Sequence, residues 1–157
     1  MTPTTFKHIS FLLIGFLILV AVYPIIAATF PTSKYSELAL LGPTGKVNVY
    51  QNQVKLGEKL PFSIYLANHE DKVELYRFEV KTVQNTTLTS NPPYDTVPIF
   101  TDLVIVENNM NVTKTIDVSL SSPFNGKIVV ELYKFDSSTG TYLFSNRWVS
   151  AWLKTTN

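Results

Sequence analysis

Cysteine is absent from the 157 residues, which excludes disulfides, thiol catalysis and thiolate metal sites. Charge of one sign is also scarce, because 13 basic and 12 acidic residues leave a formal net charge of +1. Such a chain has no strong field with which to attract nucleic acid. Guanidinium groups occur only at Arg77 and Arg147, which disfavours phosphate binding. The sequence therefore predicts no cofactor and no nucleic-acid partner.

One long hydrophobic run stands near the N-terminus, at residues 9–30, and contains no ionisable side chain except Tyr23. A helix of this length would span roughly 33 Å at 1.5 Å per residue. The run predicts a transmembrane helix. Lys7 beside it places residues 1–8 in the cytoplasm and the rest of the chain outside. Gly15 would let a neighbouring helix approach closely, which makes it a candidate partner contact.

Two other interpretations of residues 9–30 stay open. A cleaved signal peptide would have a shorter apolar core and a small-x-small cleavage site, for which Ala27, Ala28 and Thr29 are a weak candidate. Cleavage there would release a secreted protein. A buried core helix would normally carry polar residues on one side.

After a short tether at residues 31–36, the pattern changes to short runs at strand period, separated by turn residues. The runs expected to form strands are 38–41, 47–50, 60–67, 73–83, 99–107, 112–120, 127–135, 142–144 and 147–154. Residues 85–98 form the largest irregular stretch, where consecutive prolines cannot continue a ladder. Residues 37–157 are therefore predicted to be one extracytoplasmic domain. The fold class is all-β, an antiparallel immunoglobulin-like β-sandwich preceded by one N-terminal transmembrane helix.

Three stretches carry a family resemblance: YSELALLGPTGK at 35–46, LGE at 56–58 followed by IYLANHE at 64–70, and VELYK at 130–134. Together they resemble an archaeal membrane-associated domain of unknown function, catalogued as number sixteen-sixteen, over most of residues 35–153. The resemblance implies an archaeal source and an extracytoplasmic β-sandwich. It implies no catalytic residues, because the family has no established activity. Family members often carry several membrane spans before this domain, whereas this chain has one predicted span.

The most polar cluster is Asn-His-Glu-Asp at residues 68–71. Its oxygens could hold Ca²⁺ and its imidazole could join a metal shell. The favoured interpretation is a hairpin whose asparagine binds local backbone and whose charges are solvated. The second histidine, His8, is predicted on the other side of the membrane, so no two-histidine site can form within one chain. No metal site is expected, because the hairpin interpretation is favoured.

Catalysis finds little support, because His69 is the only imidazole in the predicted outer domain and has no evident partner. Two carboxylate pairs, Asp95 with Asp102 and Glu74 with Glu79, could in principle hydrolyse a glycosidic bond. Such pairs arise by chance among twelve acidic residues. The chain is therefore predicted not to be an enzyme.

Two tryptophans lie near the C-terminus, and in a strand Trp148 and Trp152 would share one face with Ser150. The opposite face carries Val149, Ala151 and Leu153 and would belong to the core. The tryptophans would then be exposed or half-exposed, as candidate contacts for a protein partner or a membrane surface. Packing under a loop or on the sheet edge is the favoured interpretation of these two side chains, and stacking on sugars is a further alternative.

Two sequons, beginning at Asn85 and Asn111, are candidate glycosylation sites. The predicted function is a membrane-anchored extracytoplasmic structural or accessory protein, a small single-span subunit of a larger archaeal membrane or cell-surface complex. Its predicted partners are membrane lipid and other membrane or surface proteins. The alternative is a cell-surface binding module for glycan, peptide or envelope protein.

Overall fold

The computed structural model describes residues 3–29, 34–47, 50–85 and 91–156. The chain divides into two compact units, Met1–Ser33 and Lys34–Asn157. The first unit contains one helix, α1 (Pro3–Thr29), with Pro24 inside it and neither acidic residues in its first turn nor basic residues in its last. A Cβ added at Gly15 would meet no heavy atom within 4 Å.

The predicted membrane span over residues 9–30 is not upheld. Among the residues that the structure describes, no helix combines the length and apolarity needed to cross a bilayer. The transmembrane part of the predicted fold class is therefore corrected. The predicted tether is also shorter at its C-terminal end, because the first strand begins at Tyr35; residues 31–33 lie outside the described residues.

The second unit is built from strands in two sheets. In chain order the strands are β1 (Tyr35–Leu41), β2 (Gln53–Lys55), β3 (Lys59–His69), β4 (Glu74–Gln84), β5 (Phe100–Val106), β6 (Asn111–Ser119), β7 (Asn125–Asp136) and β8 (Thr141–Thr156). One sheet has the order β1-β3-β6, and the other has the order β2-β8-β7-β4-β5. All pairs are antiparallel except β2 with β8, which is parallel. The all-β, immunoglobulin-like sandwich predicted from the sequence is confirmed.

One core joins the inner faces of the two sheets. The predicted alternation holds in β3, where Phe62, Ile64 and Leu66 are buried. It also holds in the first part of β4 and at Ile116 and Val118 of β6. These strands alternate because one side packs on the core and the other faces outward. The tyrosine that follows β1, Tyr50, donates its hydroxyl proton to the carbonyl of Leu40 and so ties this segment to the first strand.

Two strand predictions need correction. Residues 47–50 do not form a strand where the structure describes them, Val47 being in a turn and Tyr50 outside any strand, while residues 48–49 are outside the described residues. The strand in this region is β2, whose short sequence carries little signal of its own. The runs 142–144 and 147–154 belong to the single strand β8, interrupted by an irregularity in its pairing with β7, near Asn146 with φ of 58°.

Candidate functional site

Trp148 and Trp152 lie on the outer face of β8, and their side chains are 42% and 50% exposed. Ala151 and Leu153 point the other way and are buried in the core. In the pairing with β7, Trp152 lies opposite Lys127, whose ammonium group stands 5.0 Å from the tryptophan ring centroid. The two rings are about 13 Å apart along the strand, at roughly 3.3 Å per residue. The outer face of β8 therefore carries two exposed aromatic side chains.

The edge of β8 beside these tryptophans has no strand partner among the described residues. The amide of Thr155 donates to Phe124 on the β7 side, whereas the amide of Lys154 donates to Asn52 on the β2 side. Because successive residues of a strand direct their backbone groups to opposite edges, Trp148 and Trp152 direct theirs away from β7. Strand β2 pairs with residues 154–156 alone, so the edge before residue 154 is left open.

A groove of about 440 Å³ lies between β1 and β8. Consecutive residues of β1 line one side of it, and Arg147 and Trp148 line the other. Its lining residues are Tyr35, Ser36, Glu37, Leu38, Ala39, Tyr65, Arg147 and Trp148. Strand β1 is the edge strand of its sheet, so the groove runs along a strand edge rather than across a sheet face. It is the natural binding concavity of this surface.

The groove is lined by one acidic and one basic side chain, Glu37 and Arg147. A carboxylate oxygen of Glu37 lies 3.7 Å from Nε2 of His69, and the His69 ring packs against Tyr35 with centroids 4.8 Å apart. Within the described part of the chain, Arg147 forms no ion pair. As far as the described residues show, the groove is therefore lined by a guanidinium group without an ion-pair partner and by an exposed indole.

The polar turn at residues 68–71 is organised by Asn68, which is fully buried. Its amide nitrogen donates to the carbonyls of Lys72 and Val106, both at 2.8 Å. Its oxygen accepts from the amide of Glu70 at 3.0 Å and from the hydroxyl of Tyr76 at 3.2 Å. The predicted local backbone bonding is confirmed, but the asparagine also joins β3 to the end of β5. A side chain with four partners of this kind is a structural element.

Glu70 is committed to ion pairing and hydrogen bonding rather than free to bind a metal. Its carboxylate accepts from the hydroxyl of Ser36 at 2.9 Å and lies 3.0 Å from the ammonium of Lys134. Burial alone would raise the pKa of Glu70, but the hydrogen bonds from Lys134 and Ser36 outweigh it and lower the pKa below its usual value. Among the described residues, no three metal-binding side chains come together.

Sequence reasoning missed a buried charge network on the outer face of the five-stranded sheet. The side chains of Lys81 and Glu131 are 5% and 0% exposed, and their charged atoms are 2.8 Å apart. Glu79 lies 3.1 Å from the same ammonium. The segment after residue 90 covers the pair, since Tyr94 accepts from Lys81 through its carbonyl at 2.8 Å and donates its amide to Glu131 at 2.6 Å. The hydroxyl of Tyr133 also donates to Glu131 at 2.8 Å.

The network raises the pKa values of two of its members, Lys81 and Tyr133. Burial would lower the pKa of Lys81, but its hydrogen bonds to Glu131 and Glu79 more than offset this and raise it. Burial, followed by the bond to Glu131, raises the pKa of Tyr133 to about 12. The available sequence signal was Glu131 within an otherwise apolar stretch of β7, together with charged residues at every second position of β4.

The remaining predicted residues are dispersed. Glu74 and Glu79 lie on opposite faces of β4, because five positions separate them, so they do not form a carboxylate pair. Asp102 is held 2.7 Å from the ammonium of Lys114. Asn85 and Asn111 are both exposed, and the two threonines that follow Asn85 lie outside the described residues.

Comparisons with known proteins bear on the fold. The model of a family described as Domain of unknown function (DUF1616) matches residues 31–153. No curated protein matches the chain. A chain of the complex between zinc 2-glycoprotein and prolactin inducible protein from human seminal plasma is 7% identical, with a TM-score of 0.50, over 80% of this chain and 98% of that one. At that identity the likeness concerns the fold alone.

A second similar structure is the CARDB domain of a Pyrococcus furiosus protein in complex with di-metal ions. It is 10% identical, with a TM-score of 0.49, over 78% of this chain and 89% of that one. A β-glucosidase from Listeria innocua is 13% identical with a TM-score of 0.43; the match covers 80% of this chain but 16% of the enzyme.

Proposed function

The chain belongs to the family described as Domain of unknown function (DUF1616), and on that premise we propose that its β-sandwich is a non-enzymatic accessory module. In this proposal the module lies outside the cytoplasm and makes protein contacts as a small subunit of a larger cell-surface assembly. The observation that carries the proposal is the exposed indole of Trp148. It lines the β1–β8 groove together with Arg147, which forms no ion pair with the described residues.

Tryptophan and arginine are the side chains most enriched among residues that dominate protein interfaces. Trp148 gains nothing from the core, because the core-facing positions of β8 are filled by its neighbours Ala151 and Leu153. A large apolar side chain held in a fixed strand loses little conformational entropy when a partner covers it. These features favour a surface prepared for contact.

A non-enzymatic role is supported by the contacts that the acidic and imidazole groups make within the domain. His69 binds Asn109 through Nδ1 at 3.2 Å and faces Glu37 through Nε2. Glu79, Glu131 and Asp102 each lie within 3.1 Å of an ammonium group. A general base needs a free lone pair directed at a nucleophile, and these groups point at structural cations instead.

A second candidate function is glycan binding on the same face. Two exposed indoles about 13 Å apart, one of them beneath the ammonium of Lys127, could stack against two sugar rings of an extended polysaccharide. This candidate requires both tryptophans, whereas the protein-contact proposal places the weight on Trp148 and the groove.

Site-specific photo-cross-linking in the native cell tests the proposal. A photoreactive phenylalanine would replace Trp148, and in a matched control it would replace Ile105, which is also exposed but lies on the opposite edge of the same sheet. The expected result is a discrete protein adduct from position 148 and none from position 105. No protein adduct at 148, or the same adduct from both positions, would overturn the proposal.

The glycan alternative gives a different outcome in a second measurement. Retention of the full chain on insoluble cell-envelope polysaccharide should drop when either Trp148 or Trp152 is replaced by alanine if sugars are the ligand. Under the protein-contact proposal neither substitution changes retention on polysaccharide.

A further inference from the structure

We infer that the groove along β1 receives an extended segment of a partner protein, which pairs with the free edge of β1 as an added strand and places an acidic side chain against Arg147. This inference rests on the proposed function and specifies the chemistry of its partner. It assigns the recognition to backbone groups of β1, with Trp148 and Arg147 as the selective side chains.

The position of the groove relative to the backbone favours an added strand. Side chains alternate between the two faces of a strand, and a depression on one face would be lined by every second residue. This groove is lined by the five consecutive residues from Tyr35 to Ala39. It therefore follows the edge of β1, where unpaired amide and carbonyl groups form a template for another strand.

The opposite side of the sandwich, at edge strand β5, differs from the edge of β1. There the amide of Leu103 in edge strand β5 is bonded by the carboxylate of Asp102 at 2.9 Å. The same carboxylate makes an ion pair with Lys114 of β6, which links the edges of the two sheets. Such a charged device hinders the addition of a strand. Among the described residues, β1 pairs with β3 alone and carries no comparable link to β8.

The charged side chains of the groove favour an acidic residue in the added strand. Glu37 faces the imidazole of His69, whereas Arg147 has no acidic partner in the described part of the chain. A carboxylate arriving beside Arg147 would form a charge-assisted and bidentate hydrogen bond. The flat rings of Tyr65 and Trp148 offer apolar surface to the neighbouring side chains of the same segment. The groove thus fits an extended peptide with an acidic residue among apolar ones.

The length of the groove agrees with this occupant. Five residues of β1 extend about 17 Å at roughly 3.4 Å per residue. A guest of five to seven residues would satisfy the edge. Affinity in this mode comes mainly from main-chain hydrogen bonds, while side chains at alternate positions give selectivity.

The experiment uses the full chain and three blocked heptapeptides of alternating valine and threonine. The first carries a central aspartate, the second carries lysine at that position, and the third repeats the aspartate peptide with N-methyl groups on alternate backbone nitrogens. Hydrogen–deuterium exchange reports pairing at β1, and titration gives the dissociation constants. We expect the aspartate peptide to slow exchange in β1 and to bind at least about tenfold more tightly than the lysine peptide. The N-methylated peptide should give no protection.

Variants identify the side chains. Arg147→Gln should remove the preference for aspartate over lysine, while Lys59→Gln, an exposed lysine at the far end of β3, should leave it intact. Trp148→Ala should weaken binding of the aspartate peptide. Trp152→Ala is the matched control, since it lies on the same face of β8 but outside the groove, and it should have no effect.

Two outcomes would overturn the inference. One is the absence of slowed exchange in β1 at millimolar aspartate peptide. The other is protection of β1 without peptide that increases with protein concentration, which would identify a second copy as the occupant. Cross-links at position 148 in cells without peptide protection would leave the proposed function standing and reject strand addition. Peptide protection without cross-links would reject the proposed function alone.

Discussion

The buried ion pair between Lys81 and Glu131 allows a stringent test of the structure through the substitution Lys81→Met. Methionine keeps much of the length of lysine and removes the ammonium group. That group lies 2.8 Å from Glu131, 3.1 Å from Glu79 and 2.8 Å from the carbonyl of Tyr94. The variant would therefore leave two carboxylates and a carbonyl without their shared donor in a site closed to solvent.

The expected loss of stability is large for a single substitution. Removing one partner of a buried ion pair typically costs about 3–5 kcal/mol, because the other charge stays buried and uncompensated. With a urea m-value of about 2 kcal/mol/M for a small domain, the unfolding midpoint should fall by about 1.5–2.5 M. The double variant Lys81→Met/Glu131→Gln should recover part of this loss, since it also removes the most deeply buried charge.

The assay is urea unfolding of the full chain followed by tryptophan fluorescence. Both tryptophans are in β8, so the signal reports the sandwich. Lys114→Met is the matched control, because Lys114 makes a short ion pair with Asp102 but its side chain is 52% exposed; it should cost no more than about 1 kcal/mol. Equal effects of the two substitutions, or a loss below about 1 kcal/mol for Lys81→Met, would refute the assignment of Lys81 to a buried network.

Three other predictions concern buried residues that hold the strands of the sandwich together. Asn68→Ala removes a side chain that makes four hydrogen bonds. The free energy of unfolding, measured by urea denaturation, should fall by about 2–4 kcal/mol. Gly126→Ala should separate β7 from β4 and destabilise the domain, because the added Cβ would lie 2.1 Å from the carbonyl oxygen of Val83; unchanged thermal unfolding would contradict this. Burial raises the pKa values of Tyr76 and Tyr133 from 10.0 to about 12. Because the folded state keeps both phenols protonated to a higher pH than the unfolded state, their contribution to folding stability is present below pH 10. It is lost as the pH rises from about 10 to about 12, which urea midpoints and phenolate absorbance can follow.

Strands with one wet face were the easiest to predict from sequence. In β3 the apolar side chains recur at every second position, and in β6 Val112, Ile116 and Val118 lie on one face. Such a period-2 pattern specifies both the strand and its inward face. The centre of β7 is buried on both faces, so it carries no alternation. Its valines and isoleucine are the sequence signal for a strand there. The faces of Trp148 and Trp152 followed from the same alternation.

The elements that the sequence did not reveal depend on distant pairing. Strand β2 has three residues and is defined by its hydrogen bonds to the end of β8, a contact across about one hundred positions. The burial of Lys81 and Glu131 requires Tyr94 to cover them, and no local pattern encodes that cover. Sequence periodicity can state which face a charged side chain occupies, but another segment decides whether that face stays in water.

The residues that stabilise the fold differ from the residues proposed to bind a partner, so effects on binding can be measured apart from effects on stability. Lys81 and Asn68 each hold several buried polar groups, so changing them alters the fold before it alters any contact. Trp148 and Arg147 contribute to neither network, and replacing a half-exposed side chain away from buried features usually changes stability by no more than about 0.5 kcal/mol. A loss of partner or peptide binding in Trp148→Ala or Arg147→Gln, measured alongside an unchanged urea midpoint, can therefore be attributed to the groove itself.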